Sequence, residues 1–262
     1  MTAATEATDD AAPPAGHRPS TALVTGAARG IGLEWVRQLR ADGVTVIAGV
    51  RTTSDQSALE DLGAGPGGEL MIVELDVTDE AAVHRARVDA VELIDHLDLV
   101  VNNAGTGAGR PATPASKGPV EALDPAAMGT VIATNAIGPV LVAKHFVDLV
   151  ARSARGVIVN TTTVLGSLAL ASRRDARIIT NYAYRAAYAA QNIMTLQLAQ
   201  ELEPRGVIVV GLGTGHTRSR MGDRDAAQST TESVTAQRRV VSTLTAADSG
   251  RVMSHLGTDV EW

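Results

Sequence analysis

The stretch "TALVTGAARGIG" (21–32) joins a short apolar run to a glycine-rich turn and then to the start of a longer segment. Its glycines, Gly26, Gly30 and Gly32, have the spacing G-x-x-x-G-x-G. Glycines at such a turn let the backbone bend sharply and approach a phosphate group, which then lies at the positive end of the following helix. The stretch therefore predicts a phosphate-binding strand–turn–helix unit, although a tight structural turn has the same composition.

Alternation of strand and helix continues along the chain. Further runs rich in Val and Ile predict strands at 44–50, 70–77, 97–105, 156–163 and 206–213. These runs are apolar nearly throughout, which is typical of parallel strands buried on both faces. Segments long enough for crossover helices lie at 30–42, 78–95, 125–153 and 183–203. The sequence predicts an α/β fold: a single-domain doubly wound parallel sheet (Rossmann fold) flanked by helices.

Two regions depart from this alternation. Residues 1–19 have little to bury and predict a disordered N-terminal tail, so the domain is expected to span 20–262. The polar, Arg-rich stretch 214–245 predicts a mobile substrate flap or short helices rather than a core element.

Composition narrows the classes of function. A formal net charge of −6 provides no basic surface for nucleic acid or anionic lipid. The chain has no cysteine, so disulfides, thiolate catalysis and cysteine-bound metal are excluded. No apolar run reaches the ~18 residues of a membrane span, and the first residues do not have the pattern of a signal peptide. We expect a cytoplasmic protein that acts on a small-molecule substrate and binds no nucleic acid, membrane or metal.

Two more motifs fall at strand ends, "LDV" (75–77) and "NNAG" (102–105). Together with "TGAARGIG" and Asn135 in "TNAIGPV", they resemble the short-chain dehydrogenase/reductase family over residues 20–262. "GIGLEWVRQL", "AGVR" and "DSGRVMSHLGTDVEW" are similar to its sniffer and C-factor type carbonyl reductases. The resemblance implies a homodimer or homotetramer and a bound nicotinamide dinucleotide. The cofactor-binding residues that it implies are Gly26, Arg29, Gly30, Ile31, Gly32, Arg51, Asp76, Val77, Asn102, Ala104, Gly105 and Ser219.

The end of the second predicted strand indicates which dinucleotide binds. An acidic residue there accepts hydrogen bonds from the ribose 2′-hydroxyl of NAD, whereas an arginine pairs with the 2′-phosphate of NADP. This chain has Arg51 after "AGV" and a second cation, Arg29, in the glycine-rich turn. NADP(H) is the predicted cofactor, with NAD(H) or no cofactor as alternatives.

The catalytic region lies in "NYAYRAAYAA" (181–190), which contains all three tyrosines of the chain. The resemblance implies that Tyr184 is the catalytic acid/base, that Thr163 replaces the family's substrate-orienting serine, and that Asn135 holds a water. Tyr188 then stands where the family has a lysine that lowers the tyrosine pKa. The alternative register, with Tyr182 as the catalyst, places Ala186 at that position and restores no lysine either.

Further departures from the family lie nearby. Thr214 stands where a proline is usual, Ser219 where a threonine is usual, and the segment 167–181 is longer than in most relatives. These changes leave three hypotheses: an NADP-dependent carbonyl reductase with an atypical site, a non-redox enzyme that catalyses a cyclisation, isomerisation or elimination, and an inactive nucleotide-binding protein. The retained glycine-rich turn and "NNAG" favour the first hypothesis, and the lost lysine favours the second.

Overall fold

The computed structural model describes residue 16 and residues 18–107, 119–173, 181–218 and 225–262. Its strands are β1 (Thr21–Thr25), β2 (Thr45–Val50), β3 (Leu70–Glu74), β4 (Leu99–Asn102), β5 (Val157–Thr162), β6 (Ile208–Gly213) and β7 (Val252–Met253). The strands form one seven-stranded sheet in the order β3-β2-β1-β4-β5-β6-β7, and each neighbouring pair is parallel. The winding direction reverses between β1 and β4, which confirms the predicted doubly wound sheet.

All six predicted strands are present, but two of them end three residues before the predicted end. β3 ends at Glu74 and β4 at Asn102, because residues 75–77 and 103–105 leave the sheet as loops. The sequence pattern did not reveal β7, since a strand of two residues has no measurable periodicity.

Helices cover both faces of the sheet. They are α1 (Gly30–Ala41), α2 (Ser57–Ala64), α3 (Glu80–Ala90), α4 (Pro125–Ile132), α5 (Gly138–Val150), α6 (Leu168–Ser172), α7 (Tyr182–Leu202) and α8 (Thr230–Thr243). Side chains alternate along each strand, so Val24 points into the core under α1 and α8, while Leu23 points into the core under α3, α5 and α7. Trp35 and Phe146 are the largest fully buried side chains of these two cores.

Helices α4 and α5 form one continuous helix that is interrupted by a π-helical turn over Ala133–Ile137. Asp124 caps its start, where its carboxylate accepts hydrogen bonds from two backbone N–H groups, and Pro125 occupies the first turn. Such π turns are rare and occur mostly at functional sites. The turn contains Asn135.

Pro125–Val150 is also the one helix among the described residues that is long and apolar enough to cross a membrane. This is weak evidence for a span, because the core helices of soluble proteins satisfy the same criterion. Phe146 and Leu149 of this helix are fully buried against the sheet, as expected of a core helix.

The region predicted as a flap, 214–245, differs from that prediction in its second half. Residues 230–243 are α8, which packs against α1 and buries Val234 and Val241. Ser229 and Glu232 form a capping box at its start. The polar composition misled the sequence interpretation, because Gln38 of α1 makes hydrogen bonds to this helix in place of apolar contacts. Residues 219–224 and most of the predicted N-terminal tail lie outside the described residues.

The buried carboxylate of Asp98 joins two segments by hydrogen bonds at the amino-terminal edge of the sheet. Asp98 accepts hydrogen bonds from the backbone N–H and the hydroxyl of Ser20, both at 2.7 Å, and from the Ser153 hydroxyl at 2.5 Å. Burial acts to raise the pKa of Asp98, but these hydrogen bonds outweigh it and lower the pKa overall. A cavity of about 570 Å³ opens at this edge beside Thr21 and Thr45. It lies at the end of the sheet opposite to the predicted motifs.

Candidate active site

The predicted motifs meet at the carboxyl ends of β1 and β4, where the winding of the sheet reverses. The turn after β1 approaches the "NNAG" loop so closely that a Cβ on Gly26 would lie 2.9 Å from the Ala104 Cα. A Cβ on Gly32 would lie 2.3 Å from the Gly26 carbonyl oxygen, so α1 packs directly on the turn. Gly30 has φ +57°, and a Cβ at this position would meet no atom within 4 Å. It therefore lines open space at the start of α1, as a bound pyrophosphate requires.

Two residues that the sequence analysis did not single out hold these loops together. The Thr25 hydroxyl accepts hydrogen bonds from the backbone N–H groups of Asn103 and Ala104, both at 3.0 Å. The Asn103 amide donates to the carbonyl oxygen of Thr25 at 3.0 Å. Both residues lie within the quoted motifs, but only the fold shows that they bind one another. Asn102 contributes differently, since it is buried and donates to Asn160 of β5 at 2.8 Å.

The residues expected to bind the adenosine half of the cofactor differ in how exposed they are. Arg51 is exposed directly after β2, at the carboxyl edge of the sheet, and Arg29 immediately precedes α1. Asp76 is half-buried, and its Oδ1 accepts hydrogen bonds from the Thr78 N–H and hydroxyl. Val77 is buried against Gly138 of α5, so only its backbone is available to a ligand. Ile31 packs on the core under α1.

Asn135 uses its side chain to hold the loop that follows "NNAG". Its Oδ1 accepts from the Thr106 N–H and its Nδ2 donates to the Thr106 carbonyl, both at 2.8 Å. The side chain is 1% exposed. The π turn thus places Asn135 against this loop, and its expected role in holding a water remains a prediction.

Tyr184 and Tyr188 lie one turn apart on α7, and both are buried. Their ring centroids are 4.6 Å apart with the planes at 63°, an edge-to-face arrangement. Burial raises the pKa of Tyr184, and a hydrogen bond from the Tyr188 hydroxyl offsets part of that effect. Burial likewise raises the pKa of Tyr188 well above its usual value, and the neighbouring Tyr184 adds to the shift. Both phenols are therefore neutral at pH 7.

The Tyr188 hydroxyl borders the predicted cofactor crevice. A Cβ built on Gly105 would lie 3.3 Å from this hydroxyl and 3.5 Å from Asn135 Oδ1. Tyr188 thus reaches the "NNAG" loop, where the family resemblance places a lysine, but it brings no charge.

Thr163 begins the short 3₁₀ turn Val164–Gly166 after β5, and its Oγ1 accepts from the Leu165 N–H at 3.3 Å. Because it acts as the acceptor there, the hydroxyl keeps its proton for another hydrogen bond. Gly166 of the same turn packs on α7, since a Cβ on Gly166 would lie 2.8 Å from the Tyr188 Cβ. The turn therefore brings Thr163 to the tyrosine-bearing end of α7.

No lysine among the described residues supplies the missing charge. Lys144 lies on the outer side of α5, where its ammonium forms an ion pair with Glu80. Lys117 lies outside the described residues. Arg185 follows Tyr184 directly and points to a different helix face from Tyr188.

Buried polar contacts fix the register of α7 against β5. The Asn160 amide donates to the Thr195 hydroxyl at 2.9 Å, and the Thr162 hydroxyl donates to Asn192 Oδ1 at 2.7 Å. These contacts position Tyr184 and Tyr188 relative to the strand that leads to Thr163. The sequence offered a weak signal for them, namely polar residues inside an otherwise apolar strand.

The loop after β6 is closed by Thr214, whose carbonyl oxygen accepts from the Ser233 hydroxyl at 2.6 Å and the Thr217 hydroxyl at 2.7 Å. His255 lies against Gly215 of this loop, and burial lowers the pKa of His255. Ser219, the residue predicted to contact the nicotinamide, lies outside the described residues.

Comparisons with known proteins agree with this architecture. A model of the short chain dehydrogenase family matches residues 20–230. Short-chain reductase protein NovJ from Streptomyces niveus is 33% identical over 241 residues, which cover 87% of this chain and 83% of NovJ. This chain belongs to the short-chain dehydrogenase family.

Other relatives are similar over different shares of their length. Fluoren-9-ol dehydrogenase from Terrabacter is 29% identical over 212 residues, which cover 78% of this chain but 58% of that enzyme. Among solved structures, NADPH-bound carbonyl reductase from chicken fatty liver is 28% identical, covers 94% of this chain and 100% of its own, and superposes with a TM-score of 0.81. The expected likeness to carbonyl reductases is thereby confirmed.

Proposed function

We propose that this protein is an NADPH-dependent reductase of a small carbonyl compound, with Tyr184 as the proton donor. One observation carries the proposal: Tyr184 is a buried, neutral phenol at the carboxyl end of the sheet, in edge-to-face contact with the Tyr188 ring. Membership in a family of dehydrogenases and reductases supports hydride chemistry at this crevice.

The crevice has the features that a dinucleotide requires. Gly30 leaves open space at the start of α1, where a pyrophosphate is stabilised by the helix dipole. Arg51 directly after β2 and Arg29 directly before α1 supply the positive charge that a 2′-phosphate requires, which supports NADPH over NADH. When bound, NADPH supplies a hydride to the carbonyl carbon.

The protein itself supplies the proton that the carbonyl oxygen takes up. Reduction places negative charge on the carbonyl oxygen, and Tyr184 neutralises it by donating the phenolic proton. The phenolate that remains accepts the hydrogen bond from Tyr188, which lowers the cost of the transfer. Thr163 supplies a second hydroxyl that orients the same oxygen. Since the pKa of Tyr184 is raised, the acid form persists well above pH 7, and the opposite reaction lacks a base until the pH is high.

Nucleotide binding tests the cofactor part of this proposal. We expect NADPH to bind with micromolar affinity and NADH at least about tenfold more weakly, because a charge-assisted contact to the 2′-phosphate is worth ~1.5 kcal/mol or more. Arg51→Ala should remove most of this preference. Arg85→Ala is the matched control, since Arg85 is an exposed arginine on α3 whose nearest carboxylate oxygen is 3.9 Å away.

Turnover tests the catalytic part. Tyr184→Phe should lower the rate of NADPH-dependent carbonyl reduction by about 10²–10⁴ while leaving the NADPH affinity unchanged. A phenylalanine variant that retains full activity would show that Tyr184 is not the proton donor and that another group is the acid.

A non-redox enzyme on the same fold is the second candidate, and the uncharged Tyr188 at the lysine position favours it. In such an enzyme the two phenols would polarise or orient a substrate. Failure of the protein to bind either NADPH or NADH would make this candidate the better one.

A further inference from the structure

Residues 164–173, which follow Thr163, are held in place by contacts near both ends of the segment. On the inner side, Gly166 packs against the backbone of Tyr188. On the outer side, the Ala169 N–H donates to the carbonyl oxygen of Trp262. The Arg173 guanidinium forms an ion pair with Glu261, with Nη2 and Oε2 2.7 Å apart. Residues 164–173 and Glu261–Trp262 thus form one unit, called here the 164–173 wall, beside the tyrosine pair.

A hairpin brings Trp262 to this position. After β7 the chain turns back on itself, with the Ser254 N–H donating to the Thr258 carbonyl at 2.8 Å and the Val260 N–H donating to the Val252 carbonyl at 2.9 Å. The returning arm starts at β7, beside the carboxyl end of β6, and leads directly to α6. The arm that ends at Trp262 is therefore held to the sheet edge through Val260 and to α6 through the Ala169 N–H.

The wall exposes apolar side chains beside a crevice where polar groups carry the chemistry. Leu168 is 71% exposed, Val164 51% and Trp262 48%. The chain has only two tryptophans, and the other, Trp35, is fully buried. Val164 directly follows Thr163, so its side chain adjoins the residue expected to orient the carbonyl oxygen. Apolar walls with a few convergent polar groups are typical of small-molecule sites.

The charges on the wall do not favour an anionic substrate. Arg173 is neutralised by Glu261, and both side chains are more than half exposed, so water screens what remains of their field. Asp and Glu residues exceed Lys and Arg in the chain as a whole. An uncharged hydrocarbon framework therefore matches this surface better than a carboxylate does.

We propose that Trp262, together with Leu168 and Val164, is the apolar specificity wall of the substrate site. It selects carbonyl compounds with an uncharged hydrocarbon framework over small acidic ones, and the Arg173–Glu261 pair positions the wall. This inference rests on the proposed reductase function for the identity of the reacting group, a carbonyl. The wall itself, however, can be tested without turnover.

Tryptophan fluorescence provides that test, because Trp35 is shielded and Trp262 is accessible. The probe is 2-decalone, an uncharged bicyclic ketone, titrated into the full chain with and without saturating NADP⁺, and pyruvate is the acidic comparison. We expect 2-decalone to change the emission saturably in the wild type and not in Trp262→Phe, whereas pyruvate produces no saturable change. Calorimetry should show binding weakened about tenfold in Trp262→Ala, as loss of one aromatic contact implies. Val88→Ala, which truncates an exposed side chain on α3, is the control and should bind as the wild type does.

The positioning role of the ion pair has its own test. Arg173→Glu should weaken 2-decalone binding two- to fivefold, and adding Glu261→Arg should restore it, while the melting temperature barely changes because an exposed pair adds little stability. A double variant that binds no better than Arg173→Glu contradicts this role.

The outcomes separate the two proposals. NADPH binding without any 2-decalone effect on Trp262, or with equal binding of pyruvate, overturns the specificity wall and leaves the reductase proposal standing. Binding of 2-decalone at Trp262 in a protein that binds no nucleotide overturns the reductase proposal and leaves the wall standing. Emission that shifts on dilution without a ligand would identify the surface as a contact between copies of this chain, which also overturns the wall.

Discussion

The replacement Tyr188→Lys restores the charge that this site lacks. The ring centroids of Tyr184 and Tyr188 are 4.6 Å apart. At a separation of about 4.6 Å and an effective dielectric constant of about 20, a cation stabilises a phenolate by about 3.6 kcal/mol, or about 2.6 pKa units. Burial at residue 188 opposes part of this gain because it disfavours the ammonium form. We therefore expect the pKa of Tyr184 to fall by about one to two units.

The assay measures initial rates of ketone reduction with NADPH and of alcohol oxidation with NADP⁺ across a range of pH. Oxidation needs the Tyr184 phenolate, so the wild-type rate should keep rising with pH above the ordinary tyrosine pKa. In Tyr188→Lys the oxidation profile should move to lower pH by one to two units, which raises the rate at neutral pH by about 10- to 100-fold. Reduction should change less, because Tyr184 is protonated in both proteins.

Tyr188→Phe is the matched control, since it removes the hydrogen-bond donor without adding charge. Its oxidation profile should move slightly to higher pH, because the Tyr184 phenolate loses its partner. An unchanged oxidation profile in Tyr188→Lys, in a protein that still binds NADPH, would refute the assignment of Tyr184 as the acid/base. Loss of the native activity without any redox gain would instead support the non-redox candidate.

Three further predictions concern the scaffold of the site. Gly32→Ala should abolish nucleotide binding in a titration and lower the melting temperature, because its Cβ would lie 2.3 Å from a carbonyl oxygen. Gly30→Ala should also weaken nucleotide binding but lower the melting temperature less, because its Cβ meets open space and only the φ of +57° is strained, at a cost of about 1–2 kcal/mol. Asp98→Asn should reduce the free energy of unfolding by about 1–3 kcal/mol at pH 7 in denaturant titrations. Because the folded-state pKa of Asp98 is lowered, its stabilisation is present above pH ~4 and is lost as the pH falls through the folded pKa, so the variant's deficit should shrink in acid. Asn135→Ala should leave the Thr106 N–H and carbonyl unpaired and slow turnover more than it weakens NADPH binding, as separate measurements of kcat and Kd would show.

The sheet and the crevice were predictable because they depend on local signals. Strands buried on both faces appear as continuous apolar runs, and the strand, the glycine-rich turn and the start of α1 are all specified within twelve residues, 21–32. The position of Tyr188 was predictable for the same reason, since four residues on a helix place it on the same face as Tyr184.

Contacts between segments distant in sequence could not be predicted in this way. The Ala169–Trp262 and Arg173–Glu261 contacts join residues about 90 positions apart, and no periodicity specifies such a pairing. The buried packing of α8 was missed because its inward face includes Ser233 and Gln237, which are buried through hydrogen bonds rather than apolar area. A prediction based on composition assigns such polar residues to the surface, so it does not predict that this helix is packed.

Tyr188 occupies the position of the family's lysine but carries no charge. The free energy lost with that charge indicates which direction of the reaction the site favours. A hydrogen bond to a phenolate is worth about 1.5 kcal/mol, against about 3.6 kcal/mol for a cation about 4.6 Å away. The difference of about 2 kcal/mol corresponds to about thirtyfold in the population of the Tyr184 phenolate. Oxidation needs this phenolate before the reaction and incurs the whole penalty. Reduction starts from neutral Tyr184, so it incurs the penalty only to the extent that proton transfer is complete in the transition state. A site that keeps its glycine-rich turn and places Tyr188 beside the "NNAG" loop is therefore weakened least as a reductase.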